Sequence, residues 1–266
     1  MAKKRTNNTG SVYQDKERGG YRAQVTLDDG QRISKRFHDM LDNEGNDISE
    51  DAAHAWLNEQ LYKMTKGQFV RPSAMTLGEW LIEYLELYSK PNVRQRSFER
   101  NLSVARHCKS IADLKLQDLK PNNFQKLYTT IQLSGETKRK VHVLLSSALS
   151  QAVRNGLIET NPMEGVIPPK VIREEVVIFT KAEVEALLEA ANKHPWYPVL
   201  LLAAHTGMRL GEILGLRWQD VDLDGKTVHI RQTLQVGSTG FISDEPKTKN
   251  SKRKISIPAS TAAVLR

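Results

Sequence analysis

His205-Thr-Gly-Met-Arg-Leu-Gly-Glu-Ile-Leu-Gly-Leu-Arg-Trp-Gln-Asp-Val-Asp, residues 205–222, is the stretch from which the fold and the chemistry of this 266-residue chain are read. Thr206-Gly207 ends an apolar helix that begins at Pro198, because glycine adopts the left-handed conformation that closes helices at little cost. A second, short helix from about Arg209 to Leu214 leads into Trp218. Arg209 is expected in the first turn of that helix, where unpaired amides and the helix dipole favour an anion. Its guanidinium is a planar fork of donors suited to two phosphate oxygens. Glu212, three residues on, is near enough to hold that fork, while Leu210, Ile213 and Leu214 are expected to turn into a core.

Downstream, after the turn at 222–225, strands are expected over Thr227–Gln235 and Arg253–Ile257, and Thr261–Arg266 reads as the opening of another helix. Upstream, Thr180 with Glu183 forms a capping box before a helix carrying Val184, Leu187, Leu188 and Ala191. From Thr76 to Arg154 the pattern is helical throughout. Thr76 with Glu79 caps a run of Leu77, Trp80, Leu81, Tyr84, Leu85 and Tyr88 that Pro91 ends, and a second helix covers Ser97 to about Lys109. Asp118-Leu-Lys-Pro121 starts a third, and Ser134–Arg154 makes a long fourth. Pro168-Pro169 gives a stiff exit.

The N-terminal segment reads differently. Tyr21–Leu27 and Gln31–Phe37 alternate on a period of two around Asp28-Asp29-Gly30, which is a hairpin, and 11–14 can add a third strand. Ser49 or Asp51 is expected to cap a helix with Ala52, Ala55, Trp56, Leu61 and Tyr62 inward, and 67–73 reads as a linker. The expected fold class is α+β and multidomain: a small three-stranded sheet plus helix at 1–70, an all-helical domain at 74–168, and the N-terminal part of a mixed α/β domain at 174–266.

Thirty-nine Lys and Arg against 31 Asp and Glu give a net charge of +8 and a pI near 9.5, which favours a polyanionic partner. No apolar run approaches the roughly 18 residues of a membrane helix, so no membrane partner is expected. The basic N-terminus has no apolar stretch behind it, and one cysteine, Cys108, excludes an internal disulfide and a cysteine-based zinc cluster. A reducing bacterial cytoplasm, with the protein on DNA, is the expected compartment.

The 205–222 string closely resembles the first conserved box of phage-type tyrosine site-specific recombinases, the lambda-integrase class. The resemblance implies transesterification on double-stranded DNA at attachment sites, through a phosphotyrosine and without metal or cofactor. Arg209 and Glu212 then belong to the catalytic constellation. Glu245-Pro-Lys-Thr-Lys-Asn-Ser-Lys-Arg-Lys-Ile-Ser-Ile-Pro258 looks like the family's hairpin whose lysine protonates the leaving oxygen. Lys247 is the choice for that general acid and Lys249 the reserve; Lys249, Lys252, Arg253 and Lys254 also read as a solvated basic hairpin touching the DNA backbone.

The helical segment looks like the family's core-binding domain, which implies phosphate contacts by Arg94, Arg96, Lys138, Arg139 and Lys140. The first segment resembles the arm-type DNA-binding domain, with Tyr21, Arg22, Gln24, Arg32, Lys35 and Arg36 as one reading face. Tetrameric synapsis and accessory DNA-bending proteins are further implied. The family also places a His-x-x-Arg box, a further His or Trp, and the nucleophilic Tyr after the hairpin. No His-x-x-Arg occurs in 1–266 and no His, Trp or Tyr follows Pro258; the last tyrosine is Tyr197, read as a packing residue. The expectation is therefore a recombinase interrupted at its C-terminal end or, alternatively, a binding-only integrase; a double-stranded RNA binder is a third reading of the sheet-plus-helix module.

Overall fold

The computed structural model describes residues 10–172, 175–237, 240–244 and 252–266. By contact the chain divides into two compact units: residues up to Asn92 with Asn101–Val171, and Val93–Arg100 with Ile172–Arg266. Among the described residues no helix is long and apolar enough to cross a membrane.

The first unit opens with three antiparallel strands in the order β1 (Gly10–Gln14), β2 (Tyr21–Thr26), β3 (Arg32–Phe37), on which α1 (Ser49–Thr65) packs. Strand alternation supplies the reason: Ala23 and Val25 of β2, Phe37 of β3 and Ala53 and Leu57 of α1 are buried together, with Val12, Ile33, Trp56 and Leu61 around them. Neither Ser49 nor Asp51 caps α1. Ile48 occupies the cap position, and the Asp47 carboxylate accepts the Ser49 backbone N–H at 2.8 Å while Ser49 itself is buried. Tyr62 is exposed and not part of the core, because it lies off the face that carries Ala53 and Leu57. The 67–73 linker is tied down: Phe69 packs on this core, Arg71 pairs with Asp29 at 2.7 Å, and Gln117 donates to the Arg71 carbonyl.

Helices α2 (Leu77–Tyr84), α4 (Pro121–Thr130) and α5 (Gly135–Arg154) build the rest of the first unit, and α3 (Gln95–Ala105) spans both units. The Thr76 hydroxyl accepts from the Glu79 backbone N–H and the Glu79 carboxylate from that of Thr76, and Ser134 caps α5 through Thr137. Leu77, Trp80, Leu81 and Leu85 are buried as expected, and the Trp80 indole N–H donates to the Ala148 carbonyl at 2.9 Å. The second predicted helix is shorter than expected, since 106–111 tightens into a 3-10 turn. The third begins at Pro121, whose missing N–H costs nothing at a helix start.

The second unit contains α6 (Lys181–Ala191), α7 (Tyr197–Thr206), α8 (Leu210–Leu214) and α9 (Ala259–Leu265) with two small sheets. One sheet has the order β4 (Val221–Asp222), β5 (Thr227–Ile230), β8 (Arg253–Ser256); the other pairs β6 (Thr233–Gly237) with β7 (Gly240–Asp244). The single strand expected over 227–235 is thus two strands in different sheets. At the break, Arg231 reaches the Asp220 carboxylate at 3.1 Å and Gln232 donates to the Gly215 carbonyl at 2.9 Å. Leu202, Met208, Ile213, Val228, Ile230, Ile257 and Ala262 form the core. Helix α6 is correctly capped by Thr180 and Glu183 but has no buried residue, so its apolar positions do not enter that core.

Candidate nucleic-acid interface

Gly207 ends α7 at φ 62°, the left-handed geometry that the Thr-Gly pair predicts, and its N–H returns to the Ala203 carbonyl. Arg209 follows in extended backbone, φ −69° and ψ 149°, so it caps α8 and does not sit in its first turn. Because α8 has only five residues, little dipole accumulates there, and attraction for an anion rests on the guanidinium. Leu210 is 63% exposed and Leu214 partly so; only Ile213 of the three expected residues enters the core, since so short a helix buries one narrow edge.

Glu212 is the hinge of the site. Its carboxylate, 2% exposed, accepts the Arg209 backbone N–H at 3.0 Å and the Arg209 guanidinium at 3.2 Å. The same carboxylate is gripped by both terminal nitrogens of Arg253, at 3.1 and 3.0 Å. Burial pushes the Glu212 carboxyl up, but the Arg253 hydrogen bonds, the Arg209 N–H and the neighbouring positive charges together outweigh it and hold the group below the usual carboxylate range. Arg209 remains 78% exposed, so most of its fork faces outward. A buried ion pair of this kind is weak evidence for stability and better evidence for fixed geometry.

A second carboxylate repeats the arrangement. Asp220, 3% exposed, receives Arg217 at 2.8 Å and Arg231 at 3.1 Å. Glycines bring the second sheet close: a Cβ on Gly215 would lie 2.9 Å from the Leu234 backbone nitrogen, and one on Gly211 3.0 Å from the Leu234 carbonyl oxygen. The His205 ring meets the buried Thr261 hydroxyl at 2.7 Å and ties the end of α7 to α9.

The profile of the phage integrase family matches residues 178–265, and that of the phage integrase N-terminal SAM-like domain matches 76–131. The chain belongs to the tyrosine recombinases of the phage-integrase class. This integrase-family chain is 29% identical over 273 residues to a protein named tyrosine recombinase XerC-like from Caldanaerobacter subterraneus subsp. tengcongensis, covering 92% of the chain and 67% of that relative. It is 25% identical over 178 residues to the ICEBs1 integrase of Bacillus subtilis, covering 65% of the chain and 48% of that relative. The chain therefore spans between about half and two thirds of the length of these two relatives.

Among solved structures, the Tn1549 transposon integrase in complex with a circular intermediate DNA superposes with a TM-score of 0.64 at 19% identity, over 71% of this chain and 63% of that one. A lambda integrase dimer bound to a COC' core site gives 0.52 at 17%, over 94% and 69%. Both likenesses establish the tyrosine-recombinase fold.

The remaining residues predicted to touch DNA are distributed as follows. The register Tyr21↔Phe37, Arg22↔Arg36, Gln24↔Ser34 puts Arg22, Gln24, Arg32 and Arg36 on the outer face of the first sheet. Tyr21 and Lys35 fall on the other face, because neighbours in a strand point to opposite sides. Tyr21 packs on the α1 core and Lys35 lies 5.2 Å from the Phe37 ring centroid. The single six-residue reading face is therefore corrected to four, joined by Tyr13 opposite Arg22. Arg94 and Arg96 stand at the start of α3, with Arg96 exposed. Lys138 donates to the Tyr128 carbonyl at 2.8 Å, Lys140 pairs with Glu136 at 2.9 Å, and Arg139 is exposed. Lys252 is exposed; Lys247 and Lys249 lie outside the described residues.

Sequence reasoning missed the hold of Arg253 on Glu212. The signal was present: Arg253 shares strand parity with Ile255 and Ile257, so it points inward while Lys252 and Lys254 point out.

Proposed function

We propose that the chain takes part in site-specific recombination of a mobile element's DNA in a bacterial cytoplasm, binding attachment-site duplex and holding the phosphate to be cut. The observation that carries this reading is the exposed Arg209 fork, anchored at its backbone and at one nitrogen by buried Glu212. A phosphate placed on the outward donors meets a charge already positioned, so negative charge developing during transesterification is stabilised without reorganisation. Lys247, or Lys249, acts as the general acid to the leaving 5′ oxygen.

Around this centre we assign 1–70 as the arm-type domain, reading duplex with Arg22, Gln24, Arg32 and Arg36. Residues 74–168 form the core-binding domain, meeting phosphates through Arg94, Arg96, Lys138, Arg139 and Lys140, and 174–266 is part of the catalytic domain with Lys252 on the DNA backbone. Most such contacts set register and affinity, and few set sequence. Tetrameric assembly on two duplexes and DNA-bending partners are part of the same proposal.

Selection from a randomised DNA-duplex pool, followed by a native gel on the recovered sequence, tests the reading. A sequence-preferring shift that weakens as salt rises, with duplex RNA competing poorly, is expected. Equal competition by duplex RNA would overturn it in favour of the RNA-binding reading.

A further inference from the structure

We propose that Arg253 is a positioning residue for Arg209, acting through Glu212, and not a contact to the DNA backbone; this rests on the reading of Arg209 as a phosphate ligand. Both terminal nitrogens of Arg253 are committed to the two Glu212 oxygens, at 3.1 and 3.0 Å, and the Arg253 side chain is two-thirds buried, at 33% exposure. Planar fork-on-carboxylate pairing fixes orientation as well as distance. Arg253 opens β8, which pairs with β5, and Ile230 lies opposite Arg253. Its guanidinium thus inherits the rigidity of a strand whose inward neighbours, Ile255 and Ile257, pack in the core.

Glu212, by contrast, projects from the third residue of a five-residue helix, a support too short to fix a side chain by itself. With Arg253 in place, the Glu212 oxygens have one position, and the bonds they accept from Arg209 leave the outward nitrogens of that arginine with one aim. Without Arg253, the buried carboxylate keeps only the exposed Arg209 as a charged partner among the described residues. It then drifts toward its neutral form, which accepts hydrogen bonds from Arg209 poorly. The two arginines therefore have different roles on one carboxylate: Arg253 clamps and Arg209 presents.

The test uses the full 266-residue chain with isotope-labelled glutamate carboxyls, as wild type, Arg253→Met, Arg253→Lys, Arg209→Gln and the double variant Arg209→Gln/Arg253→Met. Titration by NMR is expected to move the Glu212 carboxyl upward in Arg253→Met and by less in Arg253→Lys, which restores the charge without the fork. Duplex affinity of Arg253→Met is expected to fall roughly tenfold, with the slope of log affinity against log salt falling no further than in Arg209→Gln, since the one phosphate contact at stake is that of Arg209. In the Arg209→Gln background, Arg253→Met is expected to add nothing.

A further fall in affinity, or a further reduction of the slope by about 0.9, in the double variant beyond Arg209→Gln would show that Arg253 acts on DNA directly. An unchanged Glu212 titration would overturn the clamp. Absence of duplex binding by the wild type would count against the proposed function instead, and the titration would still decide whether Arg253 holds Glu212.

Discussion

Arg209 and Glu212 are joined twice: the Arg209 backbone N–H donates to one carboxylate oxygen at 3.0 Å and its guanidinium to the other at 3.2 Å. One buried side chain thus fixes where the arginine's backbone lies and where one end of its fork points. The rest of the fork stays in solvent, which is the arrangement expected of a residue that waits for an anion.

That geometry makes the second unit acid-sensitive through Glu212. The folded carboxyl lies below its ordinary value, so its stabilisation is fully present above about 4.3, the value in an unfolded chain, and is lost as pH falls through the depressed folded value. Glu212→Gln is expected to lower stability at neutral pH by about 1–3 kcal/mol, because the two-thirds-buried Arg253 and the Arg209 backbone N–H lose their charged acceptor. The variant should then lose less than wild type on acidification. Calorimetric melts across that range check the pair of effects, and an equal acid loss in both proteins would contradict the assignment.

The outer face of the first sheet gives a separate expectation. Arg36→Ala, and Arg22→Ala beside it, should weaken binding to arm-type duplex, whereas Lys35→Ala should leave binding unchanged because Lys35 shares the α1 side with Phe37. Fluorescence anisotropy on the isolated duplex distinguishes the two faces. Equal losses from Lys35 and Arg36 would mean that the sheet does not meet DNA through its outer face.

Much of this was legible in the sequence, for physical reasons that differ by residue. The capping boxes at Thr76 and Thr180 and the turn at Gly207 are local, so a few neighbouring residues determine them. The Arg209–Glu212 pair was visible for the same reason. Arg253 on Glu212 and Arg231 on Asp220 join residues 41 and 11 positions apart (253 − 212 and 231 − 220), and they exist only once strands and helix have packed. The one reading face drawn through Tyr21 and Arg22 failed because it set aside the alternation that had identified the strand. The strand expected over 227–235 failed because two polar side chains, Arg231 and Gln232, find tertiary partners where the pattern suggested continuity.

Gly215 supplies a prediction about how the site is supported. A methyl group there would sit 2.9 Å from the Leu234 nitrogen, a backbone atom that cannot swing aside as a side chain does. Gly215→Ala should therefore push β6 away from α8, at a cost of about 1–3 kcal/mol, with duplex affinity falling alongside stability. A melt indistinguishable from wild type would show that α8 and β6 are less tightly packed than described.

The most direct test of the central claim is the salt dependence of duplex affinity for wild type beside Arg209→Gln, each measured over a series of salt concentrations. If Arg209 holds a DNA phosphate, the variant binds more weakly and its log affinity against log salt has a slope smaller in magnitude by about 0.9. Identical slopes and affinities would mean that the exposed fork on Glu212 faces solvent and not DNA, and the proposed site would be wrong.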